Sequence, residues 1–290
     1  MFFHRQELQF TSSPSKPDAV FARRMQEVLG GQYGEITVAM QYGFQAWNAH
    51  EPGKYRDLLF GIGAEEFGHV EMLAVMIAQL LEKAPVEQSE DAMRADPVLA
   101  AVIGGTDVQA AIVAGAGVRP VDSNGNPWQG SYITASGNLL ADFTANANAE
   151  MQGRIQVARL YNMTDDHGVR DLLSFLLARD TMHQNQWMAV LEELGPDTHP
   201  IPNSFPSSLQ KENVAYSFLS TSVNDSTNAT GRWTQGTSID GKGIFQFEKA
   251  VPTGGQPVLA PADKSIHAQV EQGAAPDPGF IDKVKDIISG

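Results

Sequence analysis

Between residues 18 and 194, apolar side chains recur at alternating intervals of three and four, the period of helices that bury one face. Beyond Gly195 that period is lost, and Pro, Gly, Ser, Thr and Asn become dense. The pattern predicts five helical segments. The first spans 18–49, with Gly30-Gly31 as a point of interruption. The second spans 52–83 and opens on Pro52, a favoured first-turn residue. A small-residue helix is expected at 97–114 and a fourth segment at 135–163. The fifth follows Asp165-Asp166, acids suited to a helix N-terminus, and ends at Gly195-Pro196. Residues 115–132, with the run Asp122-Ser123-Asn124-Gly125-Asn126-Pro127, read as a long loop. Four long helices with an extended crossover predict an all-α four-helix bundle over 1–195. Residues 196–290 are expected to form an irregular extension that wraps the bundle or a neighbouring subunit.

Polar residues interrupt these apolar seams near their middles. In the second segment Tyr55, Leu59, Ile62, Glu66, His69, Leu73, Met76 and Leu80 share a face. In the fifth, Val169, Leu173, Leu176, Asp180, His183, Trp187, Val190 and Leu194 do the same. The fourth places Leu139, Phe143, Glu150, Arg154, Val157 and Tyr161 on one stripe, and the first places Val28, Gly31, Glu35, Val38 and Tyr42. A lone Glu or His on a seam is more often a hydrogen-bonded core residue than a ligand. Four helices that each carry one are another matter, because an unpartnered buried carboxylate costs several kcal/mol and calls for a cation. A Glu-x-x-His, an acid-x-x-His and one Glu from each of two further helices form the ligand pattern of dimetal bundles. Glu65 and Glu71 fall off the seam and are read as a solvated face.

Composition narrows the picture. The chain of 290 residues is 42% hydrophobic and 19% charged, enough apolar mass for a sizeable core. A formal net charge of −14 argues against a nucleic-acid partner, which needs clustered Lys and Arg. With no cysteine, disulfides, thiolate metal sites and cysteine nucleophiles are excluded, which fits a cytoplasmic protein. The most lipid-like stretch, 97–118, contains Asp107, Gln109 and four glycines, so a buried helix is expected there rather than a membrane span. The candidate ligands, three carboxylates and two imidazoles, make a hard, oxygen-rich set suited to manganese or iron rather than copper or zinc.

At these residues the sequence resembles the manganese catalases of the ferritin-like superfamily. The matching stretches are LGGQYGEITVAMQYGFQAW (29–47), GAEEFGHVEML (63–73), WQGSYITASGNLL (128–140) and YNMTDDHGVRDLLSFLLARDTMH (161–183). The resemblance implies that Glu35, Glu66 and His69 hold one manganese, that Glu150 and His183 hold the other, and that Glu66 bridges both alongside bridging solvent. Tyr42 matches a hydroxyl that hydrogen-bonds a ligand carboxylate in the family. The implied activity is disproportionation of hydrogen peroxide by a homohexamer.

Three positions depart from the family pattern. One branch carries an arginine where this chain has Ala149, paired with an acid at the position of Asp180; Arg154, one turn after Glu150, is a candidate replacement. Another branch carries a lysine where Val157 stands. Some members bind calcium at a subunit contact, for which Asp57 is a candidate while Gly61 lacks the second carboxylate. Glu35 or Glu150 is the expected proton-transfer group, with Asp180 orienting His183 or relaying protons. The alternatives are a di-iron oxidase or peroxidase and a ferritin-like iron-binding protein on the same bundle. The di-iron set usually has four carboxylates, and Asp180 is shorter than the glutamate expected there.

Overall fold

The computed structural model describes residues 7–50, 53–82, 114, 117–195, 208, 212–220, 231–238 and 240–249. The predicted helix at 97–114 lies outside them, apart from Ala114, as does the greater part of the extension beyond Gly195.

Five substantial helices form in the first unit: α1 (Ala19–Gly30), α2 (Glu35–Asn48), α3 (Gly53–Leu81), α4 (Leu139–Tyr161) and α5 (His167–Leu194). Their starts follow from local chemistry. Asp18, Asn138 and Asp166 each accept a hydrogen bond from the backbone N–H three residues on, capping α1, α4 and α5. The fourth helix was expected from residue 135 but begins at Leu139. The carboxylate of Asp142 captures the backbone N–H groups of Ser136 and Gly137, and Gly137 adopts φ +76°, so the chain turns there instead of coiling.

The interruption in the first segment is real and runs from Gly31 to Gly34. Two close approaches fix it. A Cβ on Gly30 would lie 2.4 Å from the carbonyl oxygen of Val121, and one on Gly34 would lie 2.6 Å from that of Val28. Side chains are excluded at both positions, and Glu35 becomes the first residue of α2. An anion there is favoured by the unsatisfied N–H groups of the first turn.

Helix α2 packs along α3, and α4 packs along α5, so two helix pairs make up the bundle, with α1 continuing the first pair. One apolar cluster gathers Met25 and Leu29 of α1, Met72, Leu73 and Met76 of α3, Val157 of α4 and Leu172, Leu173 and Leu176 of α5. A second gathers Val38 and Tyr42 of α2, Leu59 and Ile62 of α3, Phe143 of α4, and Trp187 and Leu191 of α5. Each of α3, α4 and α5 passes from one cluster to the other, and its metal-capable residues lie at the crossing point. That is the seam interruption read from the sequence, now as a layer through the bundle.

The crossover before α4 is pinned by amides. Gln45 donates to the Thr134 carbonyl and Gln41 accepts from the Thr134 N–H, while both glutamines bond to buried Asn146 of α4. Beyond Gly195, the regular structure among the described residues is a one-turn helix α6 (Glu212–Ala215) and two four-residue strands. Strands β1 (Ser217–Ser220) and β2 (Gln246–Lys249) pair in parallel in a separate unit of the chain. No helix among the described residues is long and apolar enough to cross a membrane.

Candidate metal centre

The polar layer contains Glu35, Glu66, His69, Glu150, Asp180 and His183, all buried, with Glu66, His69 and His183 fully so. The i, i+3 spacing sets Glu66 and His69 on one face of α3, and Asp180 and His183 on one face of α5. Two groups of ligand atoms result, each lying within 4.8 Å: Glu35, Glu66, His69 and Asp180 in one, and Glu66, Glu150 and His183 in the other. Glu66 is common to both. Its Oε2 stands 2.8 Å from His69 Nδ1 and its Oε1 stands 2.6 Å from His183 Nδ1.

These short approaches are not hydrogen bonds. Both oxygens of Glu66, both nitrogens of His69 and of His183, and Oδ1 of Asp180 are buried without an in-line partner. The Glu66 oxygens are off the N–H axes of the two rings, leaving those axes free for a third atom. A buried polar atom left unpaired costs about 1–3 kcal/mol, and seven converge here. Oxygen-rich carboxylates with two imidazoles fit a pair of hard divalent ions, manganese among them.

The electrostatics agree. Burial, reinforced by the charge of Glu66, pushes Glu35 up to about 7. Burial also raises Glu150 and Asp180, and neighbouring carboxylates add to it. Glu66 runs the other way: burial works to raise it, but His69 and His183 outweigh that and hold it at about 2. Both imidazoles are shifted upward, because their interactions with Glu66 overcome the penalty of burial. Glu35, Glu150 and Asp180 are thus biased toward their protonated forms, and Glu66 toward its ionised form.

Around the layer, Tyr42 donates a 2.5 Å hydrogen bond to Oε1 of Glu150, and Trp187 Nε1 approaches the same oxygen at 3.3 Å. The two rings lie against each other, 4.9 Å between centroids. Other expectations need correction. Asp180 was expected to orient His183 or relay protons; its Oδ1 lies toward His69, 3.8 Å from Nδ1, rather than at a nitrogen of His183. Residues three apart on a helix point the same way, and Asp180 and His183 each fall in a group that contains Glu66 of α3. Arg154 does not replace a paired arginine for Asp180; it donates to Gln184 and acts on Asp180 only through its charge.

Glu65, read as solvated, is instead drawn inward. Arg179 donates to both of its oxygens, at 2.6 and 3.2 Å, and Gln9 donates to Oε1 at 2.7 Å. A helical wheel for α3 alone could not show this, because the attracting groups come from α5 and from the segment before α1. The usable signal was Arg179 one turn before His183. Ala149 and Val157 are buried apolar residues, and Asp57 is exposed.

Comparison with known proteins bears on this geometry. A family model described as manganese containing catalase matches residues 1–283. A manganese catalase of Bacillus subtilis is 51% identical over 268 residues, covering 92% of this chain and 97% of that protein. One from Lactiplantibacillus plantarum is 39% identical over 267 residues, with 92% and 98% covered. The crystal structure of KatB, a manganese catalase from Anabaena, superposes with a TM-score of 0.67 at 27% identity, covering 86% of this chain and 99% of that one.

Proposed function

The chain belongs to the manganese-containing catalase family, and on that premise we propose that Glu35, Glu66, His69, Glu150 and His183 hold two manganese ions, with Glu66 and solvent between them. The chain is a catalase: it disproportionates hydrogen peroxide to water and dioxygen. The observation that carries the ligand assignment is the convergence of orphaned buried donors and acceptors, with Glu66 shared by two groups.

When bound, a manganese pair supplies the two-electron change that each half of the reaction requires. The chain's own contribution is position and protons. Oxidising one peroxide to dioxygen releases two protons, and reducing a second peroxide to two waters consumes two. Groups that hold protons near neutrality and release them without rearrangement suit this exchange. Glu35 and Asp180 are the candidates by position, both buried within the first ligand group. Glu150 is less suited, because Tyr42 and Trp187 already occupy its Oε1. These two donors instead fix the carboxylate in one orientation. The apolar clusters on either side of the layer exclude bulk water and keep the local dielectric low.

Asp180 reaches the first ligand group, so the length of that acid does not separate this reading from a di-iron enzyme. Family membership favours the catalase. The test is metal quantification on protein purified without added metal, followed by oxygen release from peroxide. Manganese near two per chain with rapid oxygen evolution supports the reading, and mineralised iron or no turnover overturns it. Glu66→Gln checks the shared ligand: manganese content and activity fall together while the helical content is kept.

The reading extends to a homohexamer, as the resemblance implies, and, from composition, to a cytoplasmic protein whose residues 196–290 wrap the bundle or a neighbouring subunit. Light scattering and cell fractionation test these points. Calcium has little support, since Asp57 lacks a second carboxylate at Gly61; calcium analysis of the purified protein tests it.

A further inference from the structure

Glu65 and Glu66 are consecutive on α3, about 100° apart around the helix, yet they address the same two imidazoles from opposite sides. Glu66 meets both rings at Nδ1. Glu65 stands on the Nε2 side of both, with Oε2 3.1 Å from His183 Nε2 and Oε1 3.8 Å from His69 Nε2. The rings lie nearly parallel, 22° between planes and 5.6 Å between centroids, so one carboxylate can span both edges. Both Nε2 atoms are buried and lack an in-line partner, and the glutamate oxygens stand off their N–H axes. The His183 approach is already within hydrogen-bond distance, and the His69 approach lies a few tenths of an ångström beyond it.

Glu65 is itself firmly held. The two-point grip of Arg179 neutralises it and sets its plane, and Gln9 adds a third bond. Gln9 belongs to a segment strapped across α5: Phe10 stacks on Phe175 at 4.5 Å, and Ser12 donates to the Gly168 carbonyl at 2.7 Å. Thus a carboxylate with one-fifth of its side-chain surface exposed is fixed by groups from two other segments. A solvated acid has no need of such an arrangement.

We propose that Glu65, clamped by Arg179, is a positioning residue that accepts from Nε2–H of both His69 and His183 and so presents both Nδ1 atoms to the metal pair. An acceptor on the outer nitrogen fixes the tautomer and ring angle of a ligating histidine and raises its basicity. One carboxylate serving two ligands couples the two sites: loss of Glu65 weakens both at once. This inference rests on the ligand assignment above.

The test uses full-length, metal-stripped protein titrated with manganous chloride. Glu65→Gln keeps the shape but removes the charge, and is expected to weaken both binding steps by about 10–100-fold. Pulsed EPR of the manganese-loaded protein reads the coupling of the outer imidazole nitrogen, and that signal is expected to shift in the variant. A purely structural role would lower the melting temperature of the metal-free protein and leave the nitrogen signal in place. Arg179→Lys, which retains Glu65 but loses the two-point grip, is expected to give a smaller loss at both sites and a shift of the same sign. Affinity and nitrogen signal unchanged in both variants overturn the proposal, as does weaker binding at only one site. Wild-type protein that takes up no manganese pair overturns the ligand assignment and this inference with it.

Discussion

Tyr42 and Glu150 meet across the α2–α4 interface in a 2.5 Å hydrogen bond, with both residues buried and the phenol ring packed on Trp187. Burial and the charge of Glu150 raise the phenol well above its usual range, so it remains a donor at any physiological pH. A hydrogen bond to a charged group contributes about 1.5–3 kcal/mol. Tyr42→Phe removes it with little change of shape and leaves Glu150 with Trp187 alone. The expected outcome is weaker manganese retention and roughly tenfold lower oxygen evolution, with unchanged helical circular dichroism.

Asp180 tests the proton assignment. Asp180→Asn keeps size and hydrogen-bonding capacity but cannot take up a proton at its oxygen. Manganese should stay near two per chain while turnover falls by about 100-fold, the scale of a lost acid–base group. Unchanged turnover with full metal removes Asp180 from proton handling.

Gly34 tests the break between α1 and α2. A methyl group there meets the Val28 carbonyl oxygen at 2.6 Å and the Glu27 carbonyl oxygen at 3.0 Å, backbone atoms at the end of α1 with little room to yield. Gly34→Ala is expected to cost about 1–3 kcal/mol. Because Glu35 is the next residue, the group containing His69 should lose its ion first. Metal content near one per chain, with a lower melting temperature, is the expected reading.

The metal-free protein should become less stable as pH rises, the reverse of ordinary acid denaturation. Glu35 holds its proton up to about 7 when folded but only to about 4.5 when unfolded. Between those values the native state binds more protons, so stability is lost with increasing pH, by up to about 3 kcal/mol from this group. Raised Glu150 and Asp180 act in the same sense. The upward-shifted histidines add to it above their usual value of 6.5. Glu66, lowered to about 2, contributes only in the acid range, where its stabilisation disappears as pH falls. Thermal melts of stripped protein at pH 5.5 and 8.5 check this, with a melting point roughly 10 °C lower at the higher pH. Added manganese should widen its stabilising effect over the same interval, since it replaces those protons.

Much of this was legible beforehand because burial leaves a periodic trace. The seams of α3 and α5 placed Glu66, His69 and His183 by spacing alone, and Gly30-Gly31 marked the helix break. Relations between helices left no such trace. That Asp180 faces His69 rather than serving His183 depends on how α5 crosses α3. That Glu65 is recruited depends on Arg179 and Gln9, which lie 114 and 56 residues away in sequence. The late start of α4 was missed for a local reason: Gly137 takes a positive φ that breaks the helix, and Asp142 holds the N–H groups of 136 and 137 in the resulting turn.

The charged layer also divides the interior of the bundle. The two apolar clusters meet at a layer of buried acids and imidazoles rather than at continuous apolar contact. On the proposed ligand set, ions held by α2, α3, α4 and α5 together would act as a clasp across that boundary. Metal uptake is then expected to make the two clusters unfold as one cooperative unit, read as a sharper melting transition.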